Sequence, residues 1–164
     1  MDDYVKTVDQ FKFLPGAIES ISRFQEMFKY IIVVTNQQGI GKELMTHEDL
    51  AKIHGHMSKK LNEVGATVDE VLYCPHLAIL NPSCRKPNPG MAFQAKEIFK
   101  DISFKKSVMV GDTESDIEFG KRLNMYTVLI SPDRSVNKVD KEEYFGADLV
   151  VSSLLEMSEY FINY

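Results

Sequence analysis

Residues 107–116 read Ser-Val-Met-Val-Gly-Asp-Thr-Glu-Ser-Asp, an apolar run that ends at a glycine and passes into a polar, acidic turn. A continuous apolar run of this kind is typical of a strand covered on both faces, as strands are in a parallel sheet. The residues after the turn, as far as Leu123, fit a helix. The stretch therefore predicts a strand that leads directly into a helix, which is the repeating unit of α/β proteins.

Segments of the same two kinds alternate along the rest of the chain. Apolar runs predict further strands at Tyr30–Thr35, Val68–Tyr73, Tyr126–Ile130 and Asp148–Val151. Apolar residues at helical spacing predict helices that begin after Gly16, after the capping residue Thr46, after Asn88 as N-cap and after Ser152 as N-cap. Strands and helices that alternate through short loops predict a Rossmann-like, three-layer α/β/α open parallel sheet in one domain, residues 1–164.

The charge and composition of the chain narrow the classes of partner. The 164 residues carry 19 Lys and Arg against 24 Asp and Glu, a net charge of −5. This excess of negative charge argues against a nucleic acid as the binding partner, because binding to a phosphate backbone depends on clustered cations. No apolar stretch approaches the ~20 residues of a membrane helix, no signal peptide opens the chain, and two cysteines fit a reducing cytosol. We therefore expect a cytoplasmic protein, without membrane partners, that binds a small molecule.

Ligands of open parallel sheets bind beyond the carboxyl ends of the strands, so the segments that follow strands are the candidate sites. Asp112 and Asp116 lie four residues apart at one such end, with Glu114 between them. Carboxylate oxygens are the ligands that Mg²⁺ prefers. Acidic residues also stabilise a helix N-terminus without any metal. The spacing alone leaves the metal site and the helix cap equally open.

Two other segments carry chemistry suited to phosphate. Thr35-Asn36-Gln37 ends a predicted strand and is followed by Gly39 and Gly41, so a hydroxyl, amides and backbone N–H groups are available there. An ordinary polar loop is the alternative interpretation. Arg85-Lys86 precedes a proline-rich turn, and a positioned lysine can neutralise the charge of a phosphoryl group. A solvated basic pair is the alternative for this dipeptide.

Several motifs occur in a characteristic order along residues 4–130. They are Phe13-Leu-Pro-Gly-Ala17, Val33-Val-Thr-Asn-Gln-Gln-Gly-Ile40, Tyr73-Cys-Pro-His76, Cys84-Arg-Lys-Pro87 and Gly111-Asp112. The chain thereby resembles the haloacid dehalogenase superfamily, and within it the branch of D-glycero-D-manno-heptose 1,7-bisphosphate phosphatases and histidinol-phosphatases. The resemblance implies a haloacid dehalogenase fold without a large cap domain.

The resemblance also implies a reaction and roles for individual residues. Phosphomonoesters would be hydrolysed through a phospho-aspartate intermediate with Mg²⁺ as cofactor. Thr35 would hydrogen-bond the phosphoryl group, Lys86 would steady it, Asp112 would bind Mg²⁺, and Asp116 would belong to that metal site. The residues that would contact the substrate are Asn36, Gln37 and Arg85.

The first departure from the family is at its opening motif. The family carries Asp-x-Asp-Gly on a central first strand, and this motif supplies the nucleophile; these 164 residues contain no Asp-x-Asp pair. Asp2-Asp3 does not replace it, since no strand precedes it and no glycine follows. We therefore expect a chain that is short at its amino terminus and lacks the central strand between those at Tyr30–Thr35 and Ser107–Gly111.

The second departure is at a zinc-binding loop. Relatives often hold zinc with Cys-x-His followed by Cys-x-Cys, a closed set of four ligands. Here Cys74, His76 and Cys84 match the first, second and fourth ligands, and Pro82 stands at the position of the third. Zn²⁺ is therefore a possible but incompletely liganded cofactor, and a loop without metal is the favoured alternative.

Three functions remain open at the level of the sequence. The leading hypothesis is a phosphatase acting on D-glycero-D-manno-heptose 1,7-bisphosphate, and a phosphatase acting on histidinol phosphate is the alternative within the same class. A protein that binds a phosphorylated sugar without hydrolysing it is the alternative from another class, because the nucleophile motif is absent.

Overall fold

The computed structural model describes residues 4–132 and 144–163, which divide between two compact units, 1–85 and 86–164. Asp2 and Asp3 lie outside the described residues. The assignment of all 164 residues to one domain stays a prediction. Among the residues described, no helix has both the length and the apolar character that crossing a membrane requires.

The first unit contains two parallel strands and the helices that pack on them. Its elements are α1 (Ala17–Met27), β1 (Ile32–Asn36), α2 (Gln38–Gly41), α3 (His47–Asn62) and β2 (Glu70–Cys74), with 3-10 turns at Val8–Gln10 and Ala78–Leu80. Strands β1 and β2 run in register from Ile32 opposite Glu70 to Asn36 opposite Cys74. Their carboxyl ends therefore lie side by side, and these are the ends that carry the polar residues.

Helix α3 shows why the sequence folds as it does in this unit. Thr46, the predicted capping residue, forms a capping box with Asp49, in which each side chain accepts from the other residue's backbone N–H. The apolar face of the helix is buried, with Leu61 fully enclosed. Met57, Leu61 and Ala66 form a core against residues of α1 and of both strands, including Ile18, Ile21, Val33 and Val71.

The second unit contains three parallel strands in the order β3–β4–β5. Its elements are α4 (Gly90–Ile98), a 3-10 turn (Phe104–Lys106), β3 (Val108–Gly111), α5 (Glu114–Arg122), β4 (Tyr126–Ile130), β5 (Leu149–Val151) and α6 (Leu154–Ile162). Helix α5 packs very closely on the sheet at Gly120, where an added Cβ would lie 2.6 Å from Thr127 Cγ2 and 2.8 Å from Met109 Cβ. Ile117 of this helix is fully buried in a core with Leu129, Tyr144, Ala147 and Val150.

The strands form two parallel sheets, β1–β2 and β3–β4–β5, and no ladder joins β1 to β3 within residues 4–132 and 144–163. The prediction of parallel strands with covering helices is confirmed. The sequence predicts one sheet that lacks its central strand, the strand between those at Tyr30–Thr35 and Ser107–Gly111. These two segments correspond to β1 and β3, and each of them is an edge strand of its own sheet.

Two predicted helix caps are wrong by one residue. The N-cap of α4 is Pro89 and not Asn88, because the Asn88 side chain accepts a hydrogen bond from Arg122 Nη1 at 3.0 Å. The N-cap of α6 is Ser153, whose hydroxyl accepts from the Glu156 N–H. Ser152 donates its own N–H and hydroxyl to the Glu156 carboxylate, so it supports the cap from outside the helix.

Candidate functional site

The carboxylate of Asp116 organises the polar turn that follows β3. One oxygen, Oδ1, pairs with Lys86 Nζ at 2.7 Å, and the two side chains are only 6% and 11% exposed. The other oxygen, Oδ2, accepts from the Asp112 N–H at 3.2 Å and from the Thr113 N–H at 3.1 Å and hydroxyl at 2.7 Å. Asp116 therefore fixes both the lysine and the backbone of the turn.

The sequence places Asp116 in the Mg²⁺ site as a residue that supports Asp112, and this assignment stays a prediction. Both oxygens of Asp116 already accept hydrogen bonds or pair with Lys86. Direct coordination by Asp116 would break one of these buried contacts, which is costly. Its observed contacts give it a positioning role for Lys86 and Asp112.

Asp112 lies directly after the last residue of β3, and its side chain is exposed, as is that of Glu114. Within residues 4–132 and 144–163, no group of three or more His, Cys, Asp or Glu side chains is arranged to hold a metal. Mg²⁺ in proteins commonly uses only one or two carboxylates and completes its shell with water and phosphate oxygens. The exposed carboxylate of Asp112 fits that limited role.

The loop that carries Lys86 is also held by the end of α5. Arg122 donates from Nη1 to Asn88 Oδ1 and pairs with Glu118 one turn earlier on the same helix. Lys86 is thus fixed at its ammonium group by Asp116, and the loop after it is fixed at Asn88. Because both its ammonium group and the loop that follows it are held, Lys86 is suited to neutralise negative charge at a defined position.

The polar residues of the first unit lie at the carboxyl end of β1. Thr35 Oγ1 accepts from Gln37 Nε2 at 3.0 Å, and the Gln37 N–H donates to the Cys74 carbonyl at 2.7 Å. The segment after them is the short helix α2, which the sequence did not predict as helical. Thr35, Asn36 and Gln37 therefore stand together at one sheet end, as expected.

Gly41 packs closely against the loop that follows β2. Its N–H donates to the Pro75 carbonyl at 2.9 Å. A Cβ at this residue would lie 2.8 Å from that oxygen and 3.2 Å from the Leu77 N. Only glycine lets the α2 segment approach the loop after β2 this closely.

Cys74 and Cys84 form a disulfide, with their Cα atoms 5.3 Å apart and a sequence separation of 10. The predicted zinc set of Cys74, His76 and Cys84 is therefore not supported, because the bond uses the two sulfurs that the metal would need as thiolates. The cysteine count likewise no longer argues for a reducing compartment. The bond ties Cys84, and with it Arg85, to the carboxyl end of β2.

Reduction of this disulfide should destabilise the protein by about 2.5–3 kcal/mol, because the bond closes a short loop and removes unfolded-state entropy. Urea unfolding with and without dithiothreitol measures the difference. Cys84→Ser is the matched control and should be insensitive to dithiothreitol. Thiol titration of the unreduced, denatured protein should find no free thiol; two free thiols there would contradict the pairing.

A polar cluster that sequence reasoning missed joins Tyr4 to α2. The Tyr4 hydroxyl accepts from Gln38 Nε2 and from Lys42 Nζ, both at 2.9 Å. The hydrogen bond from Lys42 lowers the pKa of Tyr4 below its usual value, against the effect of burial and with help from Gln38 and from the charge of Arg85. No sequence pattern signals this cluster, because its members lie 34 to 38 residues apart.

The predicted site residues divide between the two units. Thr35, Asn36, Gln37 and Arg85 belong to the unit of residues 1–85. The remaining ones, Lys86, Asp112 and Asp116, belong to the second unit and are joined there by direct hydrogen bonds or an ion pair.

A family model described as HAD-hydrolase-like matches residues 83–157. A D-glycero-alpha-D-manno-heptose-1,7-bisphosphate 7-phosphatase of Mycobacterium bovis is 39% identical over 116 residues, which are 71% of this chain and 61% of that protein. The chain thus spans about three fifths of that relative. A D-glycero-beta-D-manno-heptose-1,7-bisphosphate 7-phosphatase of Pasteurella multocida is 32% identical over 162 residues, 94% of this chain and 85% of that protein.

Solved structures agree with these relatives. The D,D-heptose 1,7-bisphosphate phosphatase from B. bronchiseptica, complexed with magnesium and phosphate, has a TM-score of 0.83 at 26% identity. The match covers 99% of this chain and 90% of that one. Together with the extent of the Pasteurella multocida match, these similarities show that the chain belongs to the heptose-1,7-bisphosphate phosphatase family of the haloacid dehalogenase-like hydrolases.

Proposed function

We propose that this protein acts in the Mg²⁺-dependent hydrolysis of a phosphomonoester of a small sugar, D-glycero-D-manno-heptose 1,7-bisphosphate. The observation that carries the proposal is the buried pair of Lys86 and Asp116, whose carboxylate also holds the backbone of Asp112. The ammonium group of Lys86 is fixed, and Lys86 follows Arg85 directly in the chain. Two neighbouring cations of this kind are suited to bind a dianionic phosphoryl group. The relatives' names support the heptose over histidinol phosphate as substrate.

Each residue has a proposed task. Lys86 binds an oxygen of the phosphoryl group and offsets its charge. Thr35 donates a hydrogen bond from its hydroxyl to the phosphoryl group. Asn36, Gln37 and Arg85 contact the substrate. Asp112 would hold Mg²⁺, which when bound offsets further negative charge on the phosphoryl group. Asp116 keeps Lys86 and the Asp112 backbone in place through the contacts described above.

The proposed nucleophile is an aspartate that these 164 residues do not supply, because they contain no Asp-x-Asp pair. The same observation favours the second candidate function, binding of a phosphorylated sugar without hydrolysis. The two candidates differ in a direct way. An enzyme releases phosphate once an Asp-x-Asp-Gly strand is supplied, whereas a binding protein is stabilised by the sugar phosphate and releases none.

The test compares two forms of the protein, the 164-residue chain and the same chain preceded by the Asp-x-Asp-Gly strand of a relative. With heptose bisphosphate and Mg²⁺, the extended form should release phosphate. In that form Asp112→Asn should lower the rate about 100-fold or more, since loss of metal-derived charge stabilisation costs several kcal/mol.

Asp9→Asn is the matched control, because it makes the same chemical change at an exposed residue of the first 3-10 turn. Its rate should equal that of the parent. Full activity of the Asp112→Asn protein would refute the proposal. A rise in melting temperature with heptose bisphosphate, without phosphate release from either form, would decide for the binding protein.

A further inference from the structure

The disulfide connects Arg85 to the sheet of the first unit. Cys74 is the last residue of β2, where it pairs with Asn36 of β1, and its carbonyl accepts from the Gln37 N–H at 2.7 Å. Cys84 is joined to this fixed point through its sulfur, and Arg85 is the next residue in the chain. The disulfide therefore carries the rigidity of the sheet to the backbone that precedes Arg85.

The arc between the two cysteines, residues 75–83, holds Cys84 only loosely by itself. Most of its residues are exposed, and at Ala78 a hydrogen bond that leaves the arc is long, with 3.4 Å between the Ala78 N–H nitrogen and Gln38 Oε1. Exposed loops with few buried contacts open at little cost in free energy. We therefore expect that breaking the disulfide loosens Cys84 while β2 keeps its place.

The side chain of Arg85 depends on its backbone for its position. Its Nη1 atom is buried, and within residues 4–132 and 144–163 no group forms a hydrogen bond with it. A side chain that must be ordered when a ligand binds costs entropy, and a fixed backbone reduces that cost. Lys86 differs, because its ammonium group is held by Asp116. Loosening of Cys84 should therefore affect the contacts of Arg85 more than those of Lys86.

The two cysteines of the disulfide differ in their exposure to solvent. Cys74 is fully buried, whereas Cys84 is partly exposed and follows the exposed residue Ser83. Exchange begins when a thiolate attacks one sulfur of a disulfide, so access decides which sulfur reacts. An external thiol can therefore reach this disulfide in the folded protein at Cys84.

We propose that the Cys74–Cys84 disulfide is a redox switch that controls how tightly the protein binds its phosphorylated sugar, through the position of Arg85. The inference rests on the proposed function, in which Arg85 contacts the substrate, and it names the regulation of that site. The oxidised protein holds Arg85 in place and binds tightly, and the reduced protein binds weakly. Cys74 and Cys84 are then positioning residues.

The reductant that operates the switch is a dithiol. One of its thiolates attacks Cys84 Sγ, the S–S bond breaks, and Cys74 leaves as a thiolate that takes up a proton. The second thiolate of the reductant displaces Cys84 from the mixed disulfide, and Cys84 takes up the second proton. The protein disulfide thus gains two electrons and two protons, and the dithiol loses them and becomes a disulfide.

Calorimetry of the 164-residue chain with heptose 1,7-bisphosphate and Mg²⁺ tests the switch, before and after reduction with dithiothreitol. Reduction should weaken binding about tenfold, which is the size of one hydrogen bond to a charged group. Circular dichroism should show that the reduced chain is still folded, so that the loss reports on the site. Cys84→Ser should bind as weakly as the reduced parent and should not respond to dithiothreitol.

A second variant, Arg85→Met, tests whether the switch acts through Arg85. It should bind weakly in both oxidation states, because the group that the disulfide positions is absent. Arg23→Met is the matched control, since Arg23 lies on α1 and pairs with Glu19. This control should keep the tenfold response to reduction. A tenfold response that persists in Arg85→Met would overturn the route through Arg85.

The remaining outcomes separate the switch from the proposed function. Equal affinity of the oxidised and reduced parent would refute the switch and leave the proposed function standing. Loss of the folded structure on reduction would also refute the switch, because the disulfide would then serve stability alone. Failure of the oxidised parent to bind heptose 1,7-bisphosphate would count against both the proposed function and this inference.

Discussion

Replacing Lys86 with methionine should lower the free energy of unfolding by about 3–5 kcal/mol, because the Asp116 carboxylate is then left buried without its cation. The Lys86–Asp116 pair is almost completely shielded from water, at 11% and 6% exposure. Methionine keeps the apolar stem of the lysine, so the measured loss reports on the charge. Urea unfolding followed by circular dichroism gives the value.

The chain offers a matched control in Lys100. This lysine pairs with Glu97, but the two side chains are 70% and 78% exposed. Lys100→Met should therefore leave the free energy of unfolding almost unchanged, because water and salt screen an ion pair at the surface. Equal losses in the two variants would show that burial of the Lys86–Asp116 pair does not determine its contribution to stability.

A double variant separates the pair from the packing around it. Lys86→Met combined with Asp116→Asn removes both charges and keeps an acceptor for the Thr113 and Asp112 N–H groups. The double variant should recover part of the loss, because a buried pair is costly to break and cheaper to remove entirely. Additive losses would show that the two side chains act independently.

Replacing Gly111 with alanine should destabilise the protein by about 3 kcal/mol or more, as overpacking of a rigid site does. A Cβ on Gly111 would come closer than 3.0 Å to Cβ, Cγ and Oδ2 of Asp116, a separation that real Cβ atoms essentially never show. The carboxylate would have to leave the Asp112 and Thr113 N–H groups. Thermal unfolding of the purified variant measures the effect.

Gly55 provides a control with the opposite sign. It lies inside α3, it is exposed, and a Cβ there would meet nothing within 4 Å. Gly55→Ala should stabilise the protein by about 0.5–1 kcal/mol, because alanine favours a helix interior over glycine. If Gly111→Ala were as stable as the parent, the close approach of Asp116 to the end of β3 would not exist in solution.

The elements that could be predicted from the sequence are those whose signals are local. Thr46 and Asp49 mark the start of α3 because a capping box needs only residues three apart, and the strand Tyr126–Ile130 has its predicted bounds. The acidic turn after β3 could likewise be recognised from the sequence, as a helix cap and as a candidate site. Asp116 forms the capping box of α5 with Thr113, and it also pairs with Lys86.

The features that the sequence could not predict depend on residues distant in the chain. Asn88 fits an N-cap by local rules, but Arg122, 34 residues later, takes its side chain. Cys74 and Cys84 fit a zinc loop by resemblance, and only their proximity in space shows that they pair with each other. The contacts of Tyr4 with Gln38 and Lys42 arise in the same way, from folding and not from spacing.

The disulfide also determines how the chain would respond to a protease. Residues 75–83 form the arc between the two bonded cysteines, and Ile79 and Leu80 on it are 88% and 66% exposed. Exposed loop tips are preferred sites of cleavage. A cut between these two residues would leave both fragments covalently joined, so the nicked protein would migrate as one species on a gel until a reductant separated it.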